Sequence, residues 1–122
     1  MSVRGIRGAT TCAENSEAMF AAVEALLQEI LRVNPGLKTE DIASAWFTVT
    51  DDLQMAYPAA AARRLGWTEV PLMCAREIAV PGSLNHCVRV LLHWNTERSQ
   101  AEIRHVYLND AVSLRPDLTH EK

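Results

Sequence analysis

The stretch HCVRVLLHW, His86 to Trp94, is an apolar run of strand length with an arginine, Arg89, near its middle. Alternation along a strand puts Cys87, Arg89, Leu91 and His93 on one face and Val88, Val90, Leu92 and Trp94 on the other. Apolar residues on both faces predict a strand covered on both sides. A guanidinium keeps its charge at any ordinary pH, and taking it out of water is costly unless an anion meets it. Arg89 therefore requires either a structural carboxylate, for which Glu77 is a candidate, or an anionic ligand.

Outward from this strand the chain alternates strand and helix signals. VRGIRGAT, Val3 to Thr10, predicts a strand. Met19, Phe20, Val23, Leu26, Leu27, Ile30 and Leu31 recur at helical spacing, with Ser16 as N-cap and Asn34-Pro35-Gly36 as the stop. Thr39-Glu40-Asp41 opens a short turn before a second strand, Ser44 to Thr50. Pro58 suits the first turn of a short helix, PAAAARRLG, closed by Gly66. Val70 to Ile78 predicts a third strand, Pro81 to Ser83 a loop, Ser99-Gln100 a helical turn, and Ile103 to Leu108 a short last strand. This order predicts an α/β or α+β fold with a mixed sheet and helices on one face. The second face would then need cover, which predicts an oligomer.

The chain has 122 residues, 48% apolar and 22% charged, which suits one domain spanning residues 1–122 with a real core. No apolar run approaches the length of a membrane span, and the N-terminus has no apolar signal segment, so the expected compartment is the cytoplasm. A net charge of −3 provides no basic field for nucleic acid. Cys12, Cys74 and Cys87 form no CxxC pair, and an odd count argues against a disulfide framework. Only Lys38 and Lys122 are lysines within a positive set of 12. Base composition explains much of that bias. The functional reading is that arginine forks onto carboxylates as lysine cannot.

No GxSxG, Walker loop, GxGxxG, HExxH or zinc-spaced Cys/His cluster is present, so covalent, metal and nucleotide chemistry have no visible carrier. Val3, Gly5 and Arg7 share a face in the first strand, and the small glycines near Arg7 leave the surface open or mark a bulge or turn. Cys74 and Glu77 are three apart, so either a bulge brings them together or they serve different pockets. The second account is preferred in an oligomer with sites between subunits. His93 and His105 read as satisfied structural histidines, Tyr107 as core with a bonded hydroxyl, and Arg63-Arg64 as a solvated face.

VRGIRGATT, FTVTDDLQMAYPAAAAR, VPLMCAREIAVPGSLNHCVRVLLHWNT and IRHVYLNDAVSLRPDL, in this order, resemble the monofunctional chorismate mutases of the trimeric, mixed α/β (AroH-type) class. The resemblance runs nearly end to end. It implies a homotrimer whose sheets form a central barrel-like core, with an active site between each pair of neighbours. It implies the Claisen rearrangement of chorismate to prephenate, without metal or cofactor. Arg89 looks like the cation at the ether oxygen, Arg7 and Tyr107 like carboxylate contacts, and Glu77 like the acceptor for the ring hydroxyl, with the Cys74 thiol near the same end. Tyr57, Ala59, Met73 and Leu114 match pocket walls, and Arg63 and Arg115 match entrance or tail positions. Ala60 stands where some relatives carry an entrance lysine, and Met73 where a smaller polar residue can occur. A non-catalytic trimeric binder of small carboxylates and a trimeric enamine/imine deaminase are the alternative readings.

Overall fold

A computed structural model describes residues 1–114. Five strands form one sheet in the order β3-β2-β4-β1-β5: β1 (Ser2–Thr11), β2 (Ile42–Val49), β3 (Leu72–Arg76), β4 (Cys87–Thr96) and β5 (Val106–Tyr107). β4 runs antiparallel to both β1 and β2, while β1–β5 and β2–β3 are parallel, so the sheet is mixed. The opening stretch is thus the central strand, hydrogen-bonded along both edges.

Two helices, α1 (Ser16–Val33) and α2 (Ala59–Arg64), belong to the core on one side of the sheet. From α1, Met19, Val23, Leu26, Leu27 and Ile30 are buried, the stripe expected from its spacing. They share the main core with Ile6, Phe47, Val88, Val90, Leu92 and Trp94. Full burial stabilises each such side chain by about 1.5–3 kcal/mol. Gly8 lets α1 approach closely: a Cβ there would lie 2.9 Å from Ile30 Cδ1 and 3.1 Å from Val90 Cγ1. Gly8 accordingly marks neither a bulge nor a turn; it is a close-packing position within regular pairing to Val90 and Val106. Gly5 is likewise regularly paired, to His93.

The helix begins one residue earlier than expected. Asn15, with extended backbone, is the N-cap, and its side chain accepts from Ala18 N–H at 2.8 Å. Ser16 is already helical and its hydroxyl donates instead to Met55 O. At the other end Asn34 is buried and donates to Ile30 O and Arg104 O, and accepts from Arg104 N–H. It thereby stops α1 and pins the approach to β5 with one side chain.

All five strands differ in their bounds from those the sequence predicts: β1 is one residue longer at each end, β2 runs from Ile42 to Val49 and not from Ser44 to Thr50, and the other three differ for reasons the structure shows. β3 is shorter because Pro71 has no N–H to give the ladder and the segment after Arg76 turns toward Gly82, at φ +84. β5 is shorter because the Arg7 N–H is taken by the His105 ring, Nδ1 accepting at 2.9 Å, where a backbone carbonyl would otherwise extend the pairing. β4 starts at Cys87, since His86 has the left-handed φ of 55, and continues to Thr96.

The other sheet face carries a second, small core of Ala9, Cys87, Tyr107 and Ala111, with Leu84 and Leu114 against it. A 3-10 segment, Asn109–Leu114, supplies this cover. Elsewhere that face is open: Val3 is 54%, Trp46 43%, Met73 56% and Leu91 38% exposed. Among the described residues no helix is long and apolar enough to cross a membrane.

The close approach at Gly8 yields a direct test. Gly8→Val should destabilise the fold by about 1–3 kcal/mol through overpacking, read as a lower urea midpoint with unchanged slope. A variant as stable as the parent would show that α1 can yield.

Candidate active site

Register places one row of side chains across all five strands on the open face. Tyr107 pairs with Ala9, Ala9 with Arg89, Arg89 with Thr48 and Thr48 with Ala75. The next row contains Arg7, Leu91, Trp46 and Met73. Arg7 is therefore diagonal to Arg89 across adjacent strands, a separation of about 7 Å between their stems. Two arginines whose stems are this close on one face could present both guanidinium groups to a ligand with two carboxylates.

Arg89 and Glu77 are neighbours: Nε lies 3.3 Å from Oε2. That distance makes an ion pair, but the geometry does not make a hydrogen bond, and the buried Nε has no hydrogen-bond partner among the described residues. Glu77 Oε2 instead accepts a short hydrogen bond, 2.5 Å, from Thr48 Oγ1. The structural carboxylate expected for Arg89 is thus present, while the arginine is only partly satisfied by it. Arg7 is exposed, and its guanidinium has no side-chain partner among the described residues. Tyr107 is 8% exposed, and its buried hydroxyl also lacks a partner there, contrary to the expectation of a bonded core phenol.

Cys87 is buried beside Arg89. Burial raises its thiol above the ordinary value, against the opposing pull of the Arg89 charge. The thiol stays protonated and does not neutralise the guanidinium. Cys12 is raised too, by burial first and then by Asp52 and Cys87.

The remaining site candidates divide between the two sides of the sheet. Cys74 pairs with buried Phe47 and packs against the main core, so alternation sends it away from Glu77. Within one chain the two do not converge at the same end of one pocket, and no bulge joins them. Cys74 and Tyr57 line an open cavity of about 570 Å³ at the β3 edge. Glu77 lines another, of about 430 Å³, with the loop that follows it. Ala59 faces the main core from α2, whereas Met73 is exposed beside Trp46 and Leu114 packs against the Tyr107 cluster. Arg63 is exposed, as expected of a solvated face. Arg64 is exposed as well, and from that face it also pairs with Glu24 at 3.2 Å and lies over the Phe20 ring. Arg115 lies outside the described residues. His93 meets Ser44 Oγ at 2.9 Å and His105 accepts from Arg7, so both are satisfied. Among the described residues no group of three or more His, Cys, Asp or Glu could hold a metal ion.

Sequence reasoning missed Thr48. Alternation places it opposite buried Phe47, but only the β2–β4 register puts it beside Arg89. It also missed the anchor at the head of β4. Asp52 accepts from His86 N–H at 3.1 Å and from Thr50 Oγ1 at 2.6 Å, while His86 Nε2 meets Glu14 at 2.5 Å. Thr50 Oγ1 in turn accepts from Cys87 N–H. This network positions the start of the strand that carries Arg89.

The hydrogen bond to Glu14 is the main cause that raises His86 above the ordinary imidazole value; burial opposes it, and the Asp52 and Glu14 charges add to it. For Asp52 burial pushes upward, but the hydrogen bonds from Thr50 and His86, with the His86 charge, leave it below the ordinary carboxylate value. The His86 contribution to stability is complete below about pH 6.5 and fades as pH rises through the raised value. The Asp52 contribution is present above its ordinary value and fades as pH falls through the lowered one. Glu14→Gln should move the His86 ring titration, followed by NMR, down toward the ordinary value. An unchanged midpoint would rule out this pairing in solution.

The chain as a whole is similar to known proteins. A family model described as chorismate mutase type I matches residues 3–118. Two curated relatives are each named chorismate mutase AroH. That of Thermus thermophilus is 52% identical over 117 residues, covering 95% of this chain and 96% of its own. That of Bacillus subtilis is 42% identical over 124 aligned positions, covering 100% and 97%. A solved chorismate mutase from Clostridium thermocellum superposes with a TM-score of 0.86 at 49% identity, over 89% of this chain and 97% of that one. These relatives are named as mutases, not as carboxylate binders or deaminases.

Proposed function

Since the chain belongs to the chorismate mutase type I family and is a chorismate mutase, an isomerase of aromatic amino acid biosynthesis, we propose that the open sheet face around Arg89 carries its reaction. The observation that supports this most is the diagonal pair Arg7 and Arg89, with Glu77 and Tyr107 beside them and the charge of neither arginine fully answered.

Chorismate is a dianion that rearranges by itself: one carbon–oxygen bond breaks as one carbon–carbon bond forms. No proton transfer or nucleophile is needed. The transition state gathers partial negative charge on the ether oxygen. Arg89, held at mid-strand, stabilises that charge more than it stabilises the ground state, which is what lowers the barrier. Arg7 and the Tyr107 hydroxyl bind carboxylate, and Glu77 accepts from the ring hydroxyl. Together they hold the folded conformer in which the reacting carbons meet. The reaction uses no metal or cofactor.

The assembly we propose is a homotrimer. Val3, Trp46, Leu91 and Met73 form an apolar surface that association would cover. The opposite-side placement of Cys74 and Glu77 agrees with a cleft between subunits. One subunit would supply Arg7, Glu77, Arg89, Tyr107 and Leu114; its neighbour would supply Tyr57, Met73 and Cys74 from the β3 edge and Arg63 from α2, with Ala59, buried in the main core, backing that wall. Arg115 belongs to the same reading as a tail contact. Residues 1–122 would act as one catalytic domain in the cytoplasm.

Purified protein should consume chorismate, followed by its ultraviolet absorbance, with no loss in the presence of EDTA. Arg89→Lys should lower kcat by about 10²-fold or more, because lysine keeps the charge but not the fork. Near-parent turnover in that variant would remove the assigned role. Trp46→Glu should convert a trimer to smaller species in sedimentation and abolish activity together. A fully active monomer would refute the shared cleft.

A further inference from the structure

We infer that Thr48 is a positioning residue that keeps Arg89 available to the substrate by tethering Glu77. The inference rests on the reading of Arg89 and Glu77 as site residues given above.

A carboxylate beside a guanidinium ordinarily closes into a forked, two-bond pair. Glu77 has not done so. Its Oε2 accepts from Thr48 Oγ1 at 2.5 Å, and the same oxygen stays 3.3 Å from Arg89 Nε, outside hydrogen-bond geometry. Thr48 is in direct register with Arg89 across β2 and β4, so the donor is on the same sheet face and next to the guanidinium. Its branched Cβ restricts χ1, making the hydroxyl a stiff anchor. The backbone adds a second hold, since Glu77 N–H donates to Val49 O at 2.9 Å, the residue after Thr48. The hydroxyl therefore holds Oε2 in a position from which it does not complete the pair, and the Arg89 Nε–H is left unclaimed among the described residues. Without it, Glu77 is free to close on Arg89, and substrate must break that pair before it can use either group.

The test uses chorismate turnover by the full-length protein. Thr48→Val removes the hydroxyl at nearly constant shape and suits a strand. It should lower kcat/KM by about tenfold, the scale of one hydrogen bond to a charged group, with little change in Tm. Thr48→Ser should recover most of the loss. In a Glu77→Gln background, adding Thr48→Val should cost almost nothing further, because no carboxylate remains to be held. Unchanged kcat/KM in Thr48→Val overturns the inference, as does an equal loss in both backgrounds, which would mark a merely structural role. If the valine variant does not fold, Thr48→Ala gives the same readout. Should Arg89→Lys and Glu77→Gln each keep parent turnover, the site reading fails and this inference with it. Should those two lose turnover while Thr48→Val keeps it, only the role of Thr48 fails.

Discussion

A permanent positive charge fixed in the central strand is the constraint around which this molecule is arranged. Arg89 sits in β4, whose backbone is bonded on both edges to β1 and β2. The chain cannot move the guanidinium away without breaking both ladders, and it cannot neutralise it by titration. The remaining freedom lies in how the surroundings answer the charge. They answer it in part: a neutral buried thiol at Cys87, and a carboxylate at Glu77 held at ion-pair distance without forming the fork. An arginine fully paired to a carboxylate would be a structural device. One left short of a partner retains capacity to bind a further anion.

The two faces of the sheet divide the work. The inner face, with Phe47, Val90, Leu92 and the α1 stripe, supplies most of the apolar burial. The outer face is covered at one end only, by the segment Asn109–Leu114 over Ala9, Cys87 and Tyr107. Arg89 stands between that cover and the exposed apolar surface of Trp46 and Leu91. Cover on one side lowers the local dielectric response around the charge, while openness on the other admits a ligand. Such a position strengthens an electrostatic contact relative to the same contact in water.

The head of β4 is held by polar groups as well as by the burial of Cys87 and Val88. His86 takes a left-handed turn, Asp52 captures its N–H, and Thr50 links Asp52 to the Cys87 N–H. Glu77 and His86 bound the loop that includes Pro81 and Gly82. The loop's two ends are thus both tied to the end of β2 and the turn after it, through Thr48 and Asp52. That arrangement keeps Glu77, in the loop after β3, beside Arg89 of β4.

Local chemistry made much of this legible in the sequence. The helical stripe of α1, the stop at Asn34-Pro35-Gly36, the strand character of HCVRVLLHW, the face shared by Cys87 and Arg89, and the opposition of Cys74 to Glu77 all follow from periodicity and turn preference between near neighbours. The resemblance to the chorismate mutases rested on long stretches in order, and the comparisons agree with it. What periodicity could not supply is register, because nothing in SAWFTVT or HCVRVLLHW states which residue of one faces which residue of the other. Only the folded sheet set Thr48 beside Arg89, Arg7 on its diagonal, and Glu77 close enough to touch but not to close. It also decided that Gly8 serves packing, that Asn15 caps α1, and that a His105 ring takes an N–H the ladder would have used. Each is a contact between segments distant in the chain, so it depends on how the whole core packs and not on any local pattern. The question raised by one arginine in an apolar strand came from sequence alone; how far its charge is answered was decided by tertiary structure.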